Sequence, residues 1–197
     1  GTLLMTIQRL AVVVNPRGGK QRGLKVLERI KPIFAVAGIA LDIRVTQRPG
    51  HAAEIARTLE MKSCDGICVI GGDGTVHEIV DGLMQRGEPI SIPLGIIPAG
   101  TGNTLARHLQ CDDSLEAARR IVAGHTQPLD VVRVTLSDRI VYCVDLVGWG
   151  AVADINSNAE KWRMLGPSRY AAAALWQILR ATRRRATLVL DGQTFDD

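Results

Sequence analysis

The chain has 197 residues, 46% of them hydrophobic, and a formal net charge of +4 at pH 7. This apolar content is sufficient for a hydrophobic core and excludes an intrinsically disordered chain. Aromatic residues make up only 4% of the chain, which disfavours a nucleic-acid platform that stacks bases on aromatic rings. No run of about 18 apolar residues occurs, so the sequence predicts no membrane span.

Four cysteines occur along the chain without any Cys-x-x-Cys pair: Cys64, Cys68, Cys111 and Cys143. This pattern predicts free core thiols in a reducing compartment. The start of the chain shows no secretory signal pattern, which favours a cytoplasmic protein. His51, His108 and His125 show no ligand spacing with a cysteine or a carboxylate, so no protein metal site is predicted.

Short β-branched runs alternate with helical patterns over the first two-thirds of the chain. The predicted strands are residues 10–14, 41–45, 66–70 and 93–97, and the predicted helices are residues 23–37, 51–59, 76–84, 101–109 and 114–123. Gly124 is predicted to end the last of these helices. Strand–helix alternation indicates an α/β fold with a largely parallel sheet.

The pattern changes after Pro128. Strands 129–136 and 139–147 are predicted to form a hairpin, followed by helices 159–165 and 168–183 and a strand at 186–190. The chain ends barely into the return strand, which predicts an unpaired strand edge. We therefore predict an α/β nucleotide-binding domain over residues 1–127 and the start of a truncated, β-rich, lipid-binding domain over residues 128–197.

Three glycine-containing loops each follow a predicted strand and precede a predicted helix. They are Asn15-Pro16-Arg17-Gly18-Gly19-Lys20, Gly71-Gly72-Asp73-Gly74-Thr75 and Pro98-Ala99-Gly100-Thr101-Gly102-Asn103. None of them matches a Rossmann or Walker A pattern. In a parallel sheet such loops gather at one edge, where ligands bind.

The second loop carries the most chemistry. Its glycines let a phosphate approach backbone N–H groups, and the following helix N-terminus adds partial positive charge. Thr75 is predicted to cap this helix, with Glu78 completing a capping box. Asp73 would repel a phosphate unless it binds Mg²⁺ or accepts a proton from an attacking hydroxyl. Both are requirements of phosphoryl transfer.

Together the three loops resemble the diacylglycerol kinase catalytic-domain superfamily, most closely its sphingosine (long-chain-base) and ceramide kinase branch. The GGDG sequence also occurs in NAD kinases and phosphofructokinases, whereas the three loops in this order are specific. Residues 148–154 and 160–166, followed by Arg169 and Tyr170, are similar to the lipid-pocket segment of the sphingolipid branch.

The resemblance implies an ATP- and Mg²⁺-dependent lipid kinase whose ATP site lies between the two domains. It implies that Asp73 is the catalytic base and that Asp154 and Asn156 lie in the lipid site. It implies that Arg163 and Arg169 neutralise the ATP phosphates. The positions implied to bind ATP are Asn15, Pro16, Arg17, Thr46, Gly71, Gly72, Gly74, Thr75, Glu78, Gly100, Thr101, Gly102, Asn103, Arg163 and Arg169.

One position departs from the sphingosine kinase pattern. Two places after the residue matching Asp154, sphingosine kinases generally carry an acid that reads the amino alcohol of the substrate, whereas this chain has Asn156. An amide can hydrogen-bond but cannot pair with an ammonium group. A sphingoid base, ceramide and diacylglycerol therefore all stay open as substrates.

Two further interpretations of the function are an NAD kinase relative and a non-catalytic lipid-binding module. The arginines at 180 and 183–185 either complement a helix C-terminal dipole or contact anionic lipid headgroups. The second interpretation predicts peripheral contact with membrane surfaces. No nucleic-acid-binding motif accompanies this basic cluster.

Overall fold

The computed structural model describes residues 3–144, 151–162, 168–180, 187–190 and 193–196. The chain divides into two compact units, Gly1–Asp145 and Leu146–Asp197. All three glycine-containing loops belong to the first unit. The domain boundary after residue 127 stays a prediction.

The first unit is built on a four-stranded parallel sheet with the order β3-β2-β4-β5. These strands are β2 (Arg9–Val14), β3 (Ala40–Val45), β4 (Gly66–Gly71) and β5 (Leu94–Pro98). The helices are α1 (Gly18–Gln21), α2 (Gly23–Val36), α3 (His51–Thr58), α4 (Asp73–Met84), α5 (Thr104–His108) and α6 (Ser114–Ala123), with a 3-10 turn at Met61–Ser63. The α/β prediction with a parallel sheet is confirmed.

The two central strands, β2 and β4, are buried on both faces. Alternate side chains of β2 enter different cores: Leu10, Val12 and Val14 pack in the core that includes α2, whereas Ala11 and Val13 pack in the core that includes α3 and α4. In the sheet, β3 lies on one side of β2 and β4 lies on the other side. The loops after β2 and β4 therefore lead to opposite faces, which opens a crevice at the carboxyl ends of these strands.

Two short antiparallel pairs accompany the sheet. β1 (Leu3–Leu4) pairs with β6 (His125–Thr126), and β7 (Val132–Thr135) pairs with β8 (Ile140–Cys143). The second pair is the predicted hairpin, with shorter strands; the predicted continuation to residue 147 lies outside the described residues. Asp81 Oδ1 of α4 accepts a hydrogen bond from the Tyr142 amide at 2.8 Å, and Gln85 Nε2 donates to the Ile140 carbonyl at 2.8 Å. The hairpin is therefore bonded to α4.

The four cysteines are free thiols, and all four are buried. The prediction of core thiols is confirmed. Burial raises the pKa of the Cys68 thiol to about 12, so this side chain behaves as an apolar core residue.

The second unit contains α7 (Ala151–Lys161), α8 (Arg169–Arg180), β9 (Thr187–Leu190) and β10 (Gln193–Asp196). The two helices pack together, with the rings of Trp162 and Trp176 in an edge-to-face arrangement 6.5 Å apart. Helix α7 begins eight residues earlier than predicted.

The return strand after the predicted turn at residues 191–192 is formed. β10 pairs antiparallel with β9 along its whole length, from Thr187 opposite Asp196 to Leu190 opposite Gln193. The expectation that this hairpin lacks its second arm is therefore wrong. Among the described residues, no helix combines the length and apolar character needed to cross a membrane.

Candidate functional site

The three glycine-containing loops meet at the carboxyl ends of β2, β4 and β5. The first and second loops are joined by a side-chain hydrogen bond from Asn15 Nδ2 to Thr75 Oγ1, at 2.9 Å. The Asn15 amide donates to the Ile70 carbonyl at 3.0 Å, which keeps the first loop in register with β4. Two segments 60 residues apart in sequence are therefore in direct contact.

The second and third loops approach each other through glycine backbone. A Cβ at Gly100 would lie 2.4 Å from the Gly72 Cα, so neither position has room for a side chain. Asn103 holds the third loop in its turn: its Oδ1 accepts from the Gly100 amide at 2.9 Å, and its Nδ2 donates to the Gly100 carbonyl at 3.1 Å. Asn103 itself has a left-handed φ of 52°.

Arg22 links the first loop to the third. Its Nε donates to the Gly19 carbonyl at 2.7 Å, and its terminal nitrogen donates to the Gly100 carbonyl at 3.4 Å. Arg22 was not predicted as a site residue, because an arginine beyond a loop carries no signal of the Gly100 carbonyl that it reaches 78 residues away.

Helix α4 begins at Asp73, and the predicted capping box is wrong. Thr75 is buried within the first turn, where its hydroxyl accepts from Asn15, and its amide donates to the Gly72 carbonyl. Within the described part of the chain, the amides of Asp73 and Gly74 donate to no protein acceptor. Gly74 is exposed, so these two N–H groups form a positive, open helix N-terminus that suits an anion.

Asp73 is half-buried beside this N-terminus. Its Oδ1 accepts from the Thr104 amide at 2.6 Å, and its Oδ2 accepts from the Thr104 hydroxyl at 3.3 Å. No described lysine or arginine forms a salt bridge with it. The carboxylate is therefore oriented by neutral donors of α5 and keeps lone pairs for a proton.

Thr46 and Glu78 contact the two ends of the loop that follows β3. Thr46 is buried at the carboxyl end of β3, and its amide donates to the Val14 carbonyl at 2.9 Å. Glu78 does not cap its own helix. Its two oxygens accept from the Gly50 amide at 3.0 Å and the Ala52 amide at 3.2 Å, at the start of α3.

The remaining predicted residues of the first unit lie on the loops. The Arg17 amide donates to Asn15 Oδ1 at 3.0 Å in a tight turn that includes Pro16. Thr101 and Gly102 are exposed, and a Cβ at Gly102 would lie 2.6 Å from Asp73 Oδ2. The structure therefore brings all of the predicted site residues of the first unit to one edge of the sheet.

The predicted residues of the second unit lie on α7 and α8. Asp154 is half-buried, and its Oδ2 accepts from Gln177 Nε2 at 3.2 Å, whereas Asn156 is exposed. The guanidinium of Arg169 lies 4.9 Å from the centroid of the Tyr170 ring. Arg163 lies outside the described residues. The binding and catalytic roles of all these residues stay predictions.

The fold and the loops define the class of domain: an α/β domain that presents backbone amides and one oriented carboxylate at the carboxyl edge of a parallel sheet. Residues 9–134 match the diacylglycerol kinase catalytic domain. The chain belongs to this family, and the resemblance found in the sequence is confirmed.

Named relatives agree with this assignment. Over 87% of the present chain, the sequence is 36% identical to sphingosine kinase 1 of Arabidopsis thaliana, and over 83% of the present chain it is 34% identical to human ceramide kinase. It spans only 37% of the first relative and 34% of the second. Among solved structures, a diacylglycerol kinase from Bacillus anthracis superposes with a TM-score of 0.73 at 28% identity, over 98% of this chain and 62% of that chain.

Proposed function

We propose that the protein is an ATP-dependent lipid kinase that phosphorylates the hydroxyl of a sphingoid base, with Asp73 as the general base. The observation that carries the proposal is the convergence of three loops around the open N-terminus of α4, with an oriented carboxylate beside it. The names of the relatives, sphingosine kinase and ceramide kinase, support a lipid alcohol as the acceptor.

The transfer needs a proton acceptor and an anion site at the same place. In the proposed step, the lipid oxygen bonds to the γ-phosphorus of ATP, the bond from this phosphorus to the β–γ bridging oxygen breaks, and ADP leaves. The hydroxyl proton passes to Asp73. Thr104 keeps the carboxylate fixed during the approach of the alcohol, since it donates to both of its oxygens.

The phosphates are proposed to bind at the amides of Asp73 and Gly74 and at the loops around Asn15 and Gly100. The helix N-terminus favours negative charge there. Arg163 and Arg169 keep their predicted role in neutralising the phosphates, because guanidinium donors spread the charge of the transferred group.

Mg²⁺ is proposed to accompany ATP. Mg²⁺ usually binds proteins through one or two carboxylates and completes its shell with water and substrate phosphates. No cluster of three or more potential metal-ligating side chains occurs among the described residues, so an ion here would be held mainly by the ATP phosphates and water, and Asp73 stays the proposed proton acceptor. When bound, the ion would offset the charge on the phosphates.

Peripheral contact with a membrane from the cytoplasm is also proposed. Leu175, Ile178 and Leu179 of α8 are 59%, 72% and 72% exposed, and Arg180 lies at the end of the same helix. An exposed apolar face next to cationic residues suits the surface of a bilayer with anionic lipids.

The decisive experiment tests Asp73→Asn in the longest natural polypeptide that carries this sequence. Asparagine keeps an oxygen for the Thr104 amide but cannot take the proton, so we expect phosphorylation to fall by about 10²–10⁴-fold with an unchanged circular dichroism spectrum. The readout is radiolabelled phosphate from ATP on sphingosine, ceramide and diacylglycerol. Asp112→Asn, at an exposed position, is the matched control and retains activity.

Other outcomes would replace the proposal. Full turnover by the Asp73 variant would remove the base assignment. Production of NADP without any labelled lipid would identify an NAD kinase relative. Absence of ATP binding in calorimetry, together with sedimentation on liposomes, would identify a non-catalytic lipid-binding module.

A further inference from the structure

Besides the exposed Arg48–Glu54 ion pair, three points hold the loop between β3 and α3, residues 46–50. The Thr46 amide donates to the Val14 carbonyl of β2, and the Gln47 amide donates to His51 Nδ1 at 3.1 Å. The third point is Glu78 of α4, which accepts from the amides of Gly50 and Ala52. The first two contacts fix the start of the loop, whereas Glu78 fixes its end to the helix that carries Asp73.

The hydrogen bonds to Glu78 supply the N-terminal cap that α3 lacks. The residue before this helix is Gly50, with a left-handed φ of 79°, and no side chain of the loop caps the helix. The first amides of a helix have no acceptor within the helix, and a carboxylate near them is stabilised by their partial positive charge. Glu78 bridges two of these positions and thereby caps a neighbouring helix.

In this geometry the Glu78 carboxylate is bonded to the protein before any nucleotide is present. Both of its oxygens already accept hydrogen bonds from protein amides. A carboxylate moved towards the phosphates would also meet like charge. Glu78 and Asp73 lie five residues apart on the same helix, α4. The Glu78 carboxylate therefore couples the β3–α3 loop to the position of Asp73.

We propose that Glu78 is a positioning residue: it acts on ATP binding through the β3–α3 loop, by tying that loop to α4. The inference rests on the proposed ATP site for its effect on affinity. The tie itself is a property of the nucleotide-free protein and can be tested without ATP.

The first test is amide hydrogen exchange of the nucleotide-free protein, resolved over residues 46–52. Glu78→Gln replaces one acceptor oxygen with an NH₂ group that cannot accept from an amide, so at least one of the Gly50 and Ala52 amides loses its acceptor and is expected to exchange about tenfold faster or more. Glu54→Gln is the matched control. It removes the same charge from the first turn of α3 together with one exposed side-chain contact of the loop, the ion pair of Glu54 with Arg48 at 2.5 Å, and it leaves both amide bonds in place.

The second test measures affinity for a non-hydrolysable ATP analogue, and then KM for ATP and kcat. Glu78→Gln is expected to weaken analogue binding and raise KM about tenfold, with a smaller change in kcat at saturating ATP. Glu78→Asp keeps the charge and is expected to restore part of both the protection and the affinity. Glu78→Asp also takes the place of Glu78→Gln in both measurements if the glutamine variant does not fold.

The results separate the interpretations. Unchanged exchange with lost analogue affinity would make Glu78 a direct ligand and overturn the proposal. Faster exchange with unchanged affinity would reduce Glu78 to a structural cap and also overturn it. If the wild-type protein binds no ATP, the proposed function fails, whereas the exchange result still decides whether Glu78 ties the loop to α4.

Discussion

Thr104 shows, at the scale of a single residue, how the Asp73 carboxylate is oriented without a charged partner. Its amide and its hydroxyl each contact one oxygen of Asp73, at 2.6 Å and 3.3 Å. Sequence reasoning did not select Thr104, because a threonine after Asn103 is indistinguishable from an ordinary first residue of a helix. Asn103, the residue before α5, has a left-handed φ of 52°.

Thr104→Val tests whether the hydroxyl contributes to this orientation. Valine keeps the shape and the amide but removes one hydrogen bond, so kcat of the proposed kinase is expected to fall about two- to tenfold with KM for ATP nearly unchanged. Thr104→Ser restores the hydroxyl and should restore kcat. Equal rates for the valine and serine variants would show that the amide alone holds Asp73.

At the scale of secondary-structure elements, α6 is fixed by local signals. Asp113 precedes the helix, and its Oδ1 accepts from the amides of Leu115 and Glu116, both at 2.9 Å. Gly124 ends the helix with a φ of 71°. These hydrogen bonds, first of all that from Glu116, lower the pKa of the Asp113 carboxyl below its ordinary value of 3.8.

This pKa shift makes α6 a source of acid sensitivity. A carboxyl whose pKa is lower in the folded state stabilises the fold above its unfolded-state pKa, and this contribution declines as the pH falls through the folded-state pKa. Asp113→Asn keeps a capping oxygen but does not titrate. We expect its urea midpoint to fall less than that of the wild type when the pH is lowered from neutral to below 3.8.

Asp112→Asn is the control for this titration, since Asp112 is the exposed neighbour of the cap. Its urea midpoint should follow the wild type on acidification. A steeper acid loss for Asp113→Asn than for the wild type would contradict the assignment. Asp65 contributes in the same way, because the amides of Gln8 and Arg9 lower the pKa of its carboxyl, so part of the acid sensitivity remains in both variants.

The same elements show how much of the fold the sequence could predict. The bounds of α6 are as predicted, since its cap, its apolar spacing and its terminating glycine are all local. For α4 the local pattern suggested a cap at Thr75, but the hydroxyl is bonded to Asn15, 60 residues away. Local propensity could not predict this outcome, because the competing partner is brought in by the sheet.

At the scale of the whole molecule, the candidate site is an outcome of topology. The loops that follow the strands could be predicted from their glycines and one aspartate. Parallel strands place such loops at one edge of the sheet. The cross-links that shape the site could not be predicted: Arg22 reaches Gly100, and Glu78 reaches Gly50. Each depends on side-chain geometry that is set only once the sheet order is known.

The choice of lipid is also a property of the whole molecule, and Asn156 of α7 is where it can be tested. Asn156 is exposed and neutral, whereas Asp154 accepts a hydrogen bond from Gln177. If this position reads the amino alcohol of the substrate, Asn156→Asp adds an anion that can pair with the ammonium of a sphingoid base but has no partner on ceramide.

We therefore expect Asn156→Asp to raise kcat/KM for sphingosine relative to ceramide by about two- to fivefold, the size of an exposed ion pair. The measurement uses the longest natural polypeptide, with both lipids presented in the same mixed micelles. Asn158→Asp places the same charge two residues further along α7, on a different side of the helix, and should leave the ratio unchanged. An equal rise in both variants would reflect general attraction of a cationic lipid, and no rise in either would remove position 156 from substrate recognition.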